Sequence, residues 1–184
     1  MPNWCENQLA IVGSKEEVQK FLDRIGDELK MLESHLPTPP ELLENDGVFT
    51  DEQKLLFKEK YGVKDWYDWR VNNWGTKWEI DSANIMCDED DYIPEIRYIC
   101  IDFLSAWAPP EEGIISISKM YSRLLFNLHY EEPGMAFEGN LKCIEGNILL
   151  QESRDMISKY DWFIDNLEDE YEMALGFCDE EDGE

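Results

Sequence analysis

Positive charge is scarce in this chain. Its 184 residues carry only 16 Lys and Arg against 42 Asp and Glu, and only two histidines, His35 and His129. A formal net charge of −26 argues against direct contact with nucleic-acid backbone or an anionic lipid surface, because both would be repelled. Long apolar runs are also missing. None approaches the ~18 residues of a membrane span. The five cysteines, Cys5, Cys87, Cys100, Cys143 and Cys178, form no Cys-x-x-Cys pair. Their odd number and wide spacing predict reduced thiols in a cytoplasmic protein. The opening Met1-Pro2-Asn3-Trp4 leads directly into strand-like sequence, so no secretory leader is expected. Neither histidine sits in a metal-ligand spacing, and no glycine-rich phosphate loop or metallohydrolase motif occurs. No cofactor, metal site or catalytic residue is therefore predicted.

What is present is a core-forming sequence under an acidic surface. Hydrophobic residues make up 43% of the chain and seven tryptophans are included, too many for a disordered acidic polymer. Acidity is general and steepest at the end. Residues 121–184 hold 17 acids and 4 bases, while residues 1–60 hold 13 and 7.

Patterning along the chain gives an order of elements. Trp4 to Val12 reads as a buried strand ending at Gly13. Ser14 and Glu17 form a capping box, and Val18, Phe21, Leu22, Ile25, Leu29 and Leu32 predict one amphipathic helix. Leu36-Pro37-Thr38-Pro39-Pro40 breaks it, and residues 36–49 read as a loop. Thr50 and Gln53 start a short second helix to about Tyr61. Residues 78–86 and 97–104 read as a hairpin about the acidic turn Asp88-Glu89-Asp90-Asp91, which lacks the spacing of a calcium loop. Pro110 suits the first turn of another helix, Leu124 to Tyr130 a strand, and Ala136 to Leu150 a hairpin around Gly146-Asn147. A last helix is expected from Glu152 to about Leu175. Strand, helix, strand, strand, helix, strand is the βαββαβ order of an α+β ferredoxin-like sandwich, an antiparallel sheet with its helices on one face. The predicted organisation is a domain over residues 1–151 with an insertion at about 34–76. A C-terminal acidic helix packed on it (152–176) and an acidic tail (177–184) follow.

Four motifs support this order. They are Met1-Pro2-Asn3-Trp4-Cys5-Glu6-Asn7, the segment from Trp66 to Trp78, Ala106-Trp107-Ala108-Pro109-Pro110, and Tyr130-Glu131-Glu132-Pro133-Gly134. Together they resemble the YubB-like family carried by phages and plasmids, over roughly residues 1 to 150. The resemblance implies a ferredoxin-like fold and a mobile-element origin. It implies no activity and transfers no catalytic residue.

Two segments stand out as candidate sites. Trp66, Tyr67, Trp69, Arg70, Asn73, Trp74 and Lys77 combine aromatic faces with cations and amides, the chemistry of a small-ligand cage or a nucleotide pocket. The same rings would serve equally as the core of an insertion folded onto the sheet. In the C-terminal helix, Asp161, Asp165, Glu168, Asp169 and Glu172 make an acidic stripe. It is about 16 Å long at a helical rise of about 1.5 Å per residue. That approaches one charge per ~3.4 Å, the spacing along a DNA strand. The leading expectation is a non-enzymatic interaction protein that imitates nucleic acid and binds a basic host protein. A small-ligand or nucleotide binder is the alternative. A hydrolase uniting His129 with a carboxylate such as Glu131 is the third reading.

Overall fold

The computed structural model describes residues 3–89 and 95–156. Contacts divide the chain into a unit spanning Met1–Arg154 and a second beginning at Asp155. The first contains β1 (Trp4–Ser14), α1 (Lys15–Ile25), α2 (Met31–His35), α3 (Asp51–Tyr61), α4 (Trp66–Trp74), β2 (Asp81–Glu89), β3 (Ile96–Ala106), α5 (Glu111–Ser118), β4 (Leu124–Glu132) and β5 (Phe137–Ile144). A sixth strand, β6 (Asn147–Asp155), closes the described elements.

The six strands form one sheet in the order β2-β3-β1-β4-β5-β6. β1 lies antiparallel between β3 and β4, and β2 is antiparallel on β3. Strands β4, β1, β3 and β2, linked by α1 and α5, have the arrangement expected of a ferredoxin-like sandwich. The β5–β6 hairpin widens the sheet beyond β4, as expected from Gly146-Asn147. Gly146 takes a positive φ of 77° in that turn.

Period-two burial decides which face holds the core. Along β1, Cys5, Asn7, Leu9 and Ile11 are buried, while Glu6 and Gln8 are exposed. Along β4, Leu124, Phe126, Leu128 and Tyr130 are buried. These side chains join Val18, Phe21 and Ile25 of α1 and Ile114 and Ile117 of α5 in one core. The opposite face of the sheet carries no described helix.

Two boundaries differ from the sequence expectation. The helix predicted from Val18 through Leu32 ends at Ile25. Gly26 follows with φ 64°, donates its N–H to the Leu22 carbonyl, and α2 starts afresh at Met31. The apolar spacing continues across this break because both helices face the same core, so periodicity alone did not register the stop. The second correction concerns Glu152, which was expected to begin a helix. Residues Glu152–Asp155 instead complete β6, paired to β5 through the hairpin. The remainder of that predicted helix lies outside the described residues.

Candidate interaction surface

The Trp-rich segment is a surface helix, α4, that anchors itself in the core through one buried residue, Trp74. Asp65 caps its start, its side chain accepting from the Asp68 N–H at 2.9 Å, and Gly75 in the left-handed region ends it. Trp74 is fully buried and donates its indole N–H to the Leu36 carbonyl at 2.9 Å. Trp69 packs edge-on against Trp74. Arg70 donates from Nε to Thr38 Oγ1 at 2.9 Å and lies 3.7 Å from Glu33. Its guanidinium also covers the Trp74 ring at 4.5 Å and the Trp66 ring at 5.3 Å. Burial pulls the Arg70 pKa below its usual value, and the Glu33 and Glu79 carboxylates oppose that shift. Asn73 donates to the Trp69 carbonyl. Lys77 sits over Trp78 at 4.6 Å and Tyr67 at 5.8 Å, and Tyr67 is the exposed ring of the group. These residues lie together, and their polar groups are engaged with one another, with α2 and with the loop that follows it. The signal for the helix was present in the sequence as Asp65, Asp68 and Gly75.

A different set of groups gathers on the face of the sheet that carries no described helix. Strand register aligns Asn84, Asp102, Gln8, His129 and Asn140 in one row across β2, β3, β1, β4 and β5. Hydrogen bonds link parts of this row. Gln8 donates to Asp102 at 3.2 Å, and His129 Nδ1 meets Asn140 Oδ1 at 3.0 Å. Asn140 in turn donates to Glu152 of β6 at 3.2 Å. Beside this row lie Glu6, opposite Glu131, and Glu138, opposite Glu131 on its other side. A concavity of about 340 Å³ opens here, lined by Glu6, Gln8, Ser82, Asp102, His129 and Glu131 among others. Among the described residues, Glu6, Asp102, Glu131, Glu138 and Glu152 thus share the face with Lys142 and Arg154, and Arg154 is already bonded to Glu138 at 2.7 Å. Two wider depressions run along the C-terminal end of α1, with volumes of about 620 and 500 Å³.

The expectation that His129 and Glu131 share a face is met, since His129 Nε2 lies 3.3 Å from Glu131 Oε1. Both ring nitrogens then face partners, Asn140 and Glu131, and neither is turned toward a hydroxyl or thiol nucleophile. Alternation along β1 and β5 was the available signal for Glu6, Gln8 and Asn140, which the sequence reading did not single out. Among the described residues no cluster of three or more His, Cys, Asp or Glu is arranged to hold a metal ion. No described helix is long and apolar enough to cross a membrane. Asp161, Asp165, Glu168, Asp169 and Glu172 lie outside the described residues.

The fold and this surface define an acidic α+β protein of ferredoxin-like architecture. The chain belongs to the family described as the ferredoxin-like domain in Api92-like protein, whose model matches residues 74–174. That match takes in β2 to β6, while β1 and α1 precede it. Among solved structures, the chain is similar to the crystal structure of a protein api92 from Yersinia pseudotuberculosis. The two are 13% identical, with 86% of this chain and 99% of the other covered and a TM-score of 0.47. No curated protein sequence matches the chain.

Proposed function

We propose that this protein is a non-enzymatic interaction protein of a phage or plasmid, and that it binds a basic host protein by imitating nucleic acid. The observation that carries the reading is the sheet face without a described helix, where, among the described residues, Glu6, Asp102, Glu131, Glu138 and Glu152 meet the cations Lys142 and Arg154. The net charge of −26 extends the same field over the whole chain and favours fast, salt-sensitive association with a cationic partner. The sequence resemblance to the YubB-like family supports the mobile-element origin. The acidic stripe Asp161, Asp165, Glu168, Asp169 and Glu172 belongs to the same proposal as a second contact region. The alternative, a small-ligand or nucleotide pocket at Trp66 to Lys77, draws less support because Trp74 is fully buried and Arg70 is engaged with Thr38 and Glu33.

The test uses the full chain and a fluorescent arginine-rich peptide, read by anisotropy across a salt series. Affinity should fall steeply with salt, and duplex DNA should compete with the protein for the peptide. The triple variant Glu6→Gln, Asp102→Asn, Glu131→Gln should bind roughly tenfold more weakly, given ~0.2–1 kcal/mol per exposed charge pair and ~1.4 kcal/mol per decade. Neutralising Asp161, Asp165, Glu168 and Glu172 should add to the loss. Binding that ignores both salt and these substitutions overturns the proposal.

A further inference from the structure

A bulge in an edge strand brings two cysteines face to face. On β2, Ile85 pairs with Ile101 of β3, but the next pair is Cys87 with Cys100. Met86 is the extra residue, and it stands exposed. Extra residues of this kind re-aim the side chains that follow them. Without Met86 in the bulge, strict alternation would oppose Cys87 to Ile99 and turn it toward the core face. With it, Cys87 lies opposite Cys100 on the face away from the core, beside Tyr98. Residues directly opposite in an antiparallel pair have Cα atoms about 4.5–5.5 Å apart. A disulfide spans Cα separations of about 4.4–6.8 Å. Both thiols are free in this structure, Cys87 half-buried and Cys100 buried.

We propose that Cys87 and Cys100 are a dithiol site that reacts with low-molecular-weight disulfides to close a reversible cross-strand bond. The more accessible Cys87 acts first. Its thiolate attacks one sulfur of the incoming disulfide, a mixed disulfide forms, and one small thiolate leaves. Cys100 then gives up its proton to solvent and attacks Cys87 Sγ, and the second small thiolate leaves. Two protein thiols are oxidised to one disulfide, and one small disulfide is reduced to two thiols. Burial raises the Cys100 pKa above the usual thiol value, which makes it the poorer first nucleophile; in the second, intramolecular step its partner is held in register. The remaining described cysteines, Cys5 and Cys143, are fully buried on the core face. The bond would pin the bulged edge strand to β3 one step along the sheet from Asn84 and Asp102.

The probe is oxidised glutathione, added to the full-length chain under native conditions. The protein should lose the mass of two hydrogens and two titratable thiols, and a mild dithiol reductant should restore both. Trypsin without reduction should release peptides 78–97 and 98–119 joined through Cys87 and Cys100. The Cys100→Ser variant should instead retain one glutathione on Cys87, and Cys178→Ser should behave as the unchanged protein. A lasting glutathione adduct on Cys87 with Cys100 still free overturns the proposal. So does a disulfide that pairs either residue with Cys178.

Discussion

His35 is one of only two histidines, and it is used as a buried structural group. It is 3% exposed, stacked on Phe21, with Nδ1 against the Met31 carbonyl at 2.8 Å and Nε2 against the Tyr121 hydroxyl at 2.7 Å. Burial lowers its pKa from 6.5 to about 4. Between those values the unfolded chain binds a proton that the folded chain refuses, so the contribution of His35 to stability falls as pH drops from 6.5 toward 4. The loss should approach about 3 kcal/mol, at ~1.4 kcal/mol per pKa unit. Urea titrations of the unchanged protein and of His35→Gln at several pH values check this: the stability difference between them should shrink over that interval. Glu79 does a different structural job. Its half-buried carboxylate accepts from the N–H groups of Leu32, Glu33 and Ile80 and so caps the start of α2 from 47 residues away in sequence. Glu79→Ala leaves these donors without that partner and should cost about 1–3 kcal/mol, measured as a lower urea midpoint with an unchanged slope. Neither role was legible in the sequence. A local cap such as Ser14 to Glu17 announces itself by spacing, whereas a carboxylate capping a distant helix depends on how the insertion folds back.

At the scale of elements, legibility followed the same division. The strands β1, β3 and β4 and the helices α1, α3 and α5 were readable because alternation, capping boxes and Pro110 act within a few residues. The break at Gly26 was hidden because α1 and α2 serve one core, and the final strand was cut short because Glu152-Ser153-Arg154-Asp155 has no apolar side chain to mark it as sheet. That segment pairs as an edge, where polar side chains suit a solvated strand. Of the candidate surface, the His129–Glu131 pair was visible from its two-residue spacing, but the row across five strands needed the register. The Tyr130–Gly139 pairing shows how that register is fixed. The Tyr130 side chain lies across Gly139, where a Cβ would come within 2.3 Å of the phenol oxygen and 2.4 Å of the Glu152 carbonyl. Gly139→Ala should therefore push β5 and β6 apart and cost about 1–3 kcal/mol, the usual range for overpacking. Faster amide exchange in β6 than in β1 would localise the damage to the added hairpin. Equal acceleration throughout the sheet would contradict it.

For the whole molecule, charge is the dominant quantity, and its sign of action on stability can be argued. The surface ion pairs, such as Lys20 with Glu16 and Lys60 with Glu41, are solvent-exposed and contribute little, because water and salt screen them. Against them stand 42 acids and only 16 bases, so self-repulsion outweighs local attraction. Raising ionic strength from about 0.01 M to 0.15 M shortens the screening length from about 30 Å to 8 Å. Repulsion acting across the molecule is then weakened more than contacts between touching partners. The thermal midpoint should accordingly rise with sodium chloride, and a fall would mean that the ion pairs dominate. Salt also separates two opposing effects of acid. Protonating carboxylates below neutral pH relieves repulsion and stabilises the fold, while His35 destabilises it over the interval from 6.5 to about 4. Screening removes most of the first effect and leaves the second, because the penalty on His35 comes from burial. Stability should therefore change little with mild acidification at low salt, and should fall clearly over the same pH interval at high salt. Differential scanning calorimetry at two salt concentrations and three pH values reads both slopes, and identical slopes at the two concentrations would refute the account.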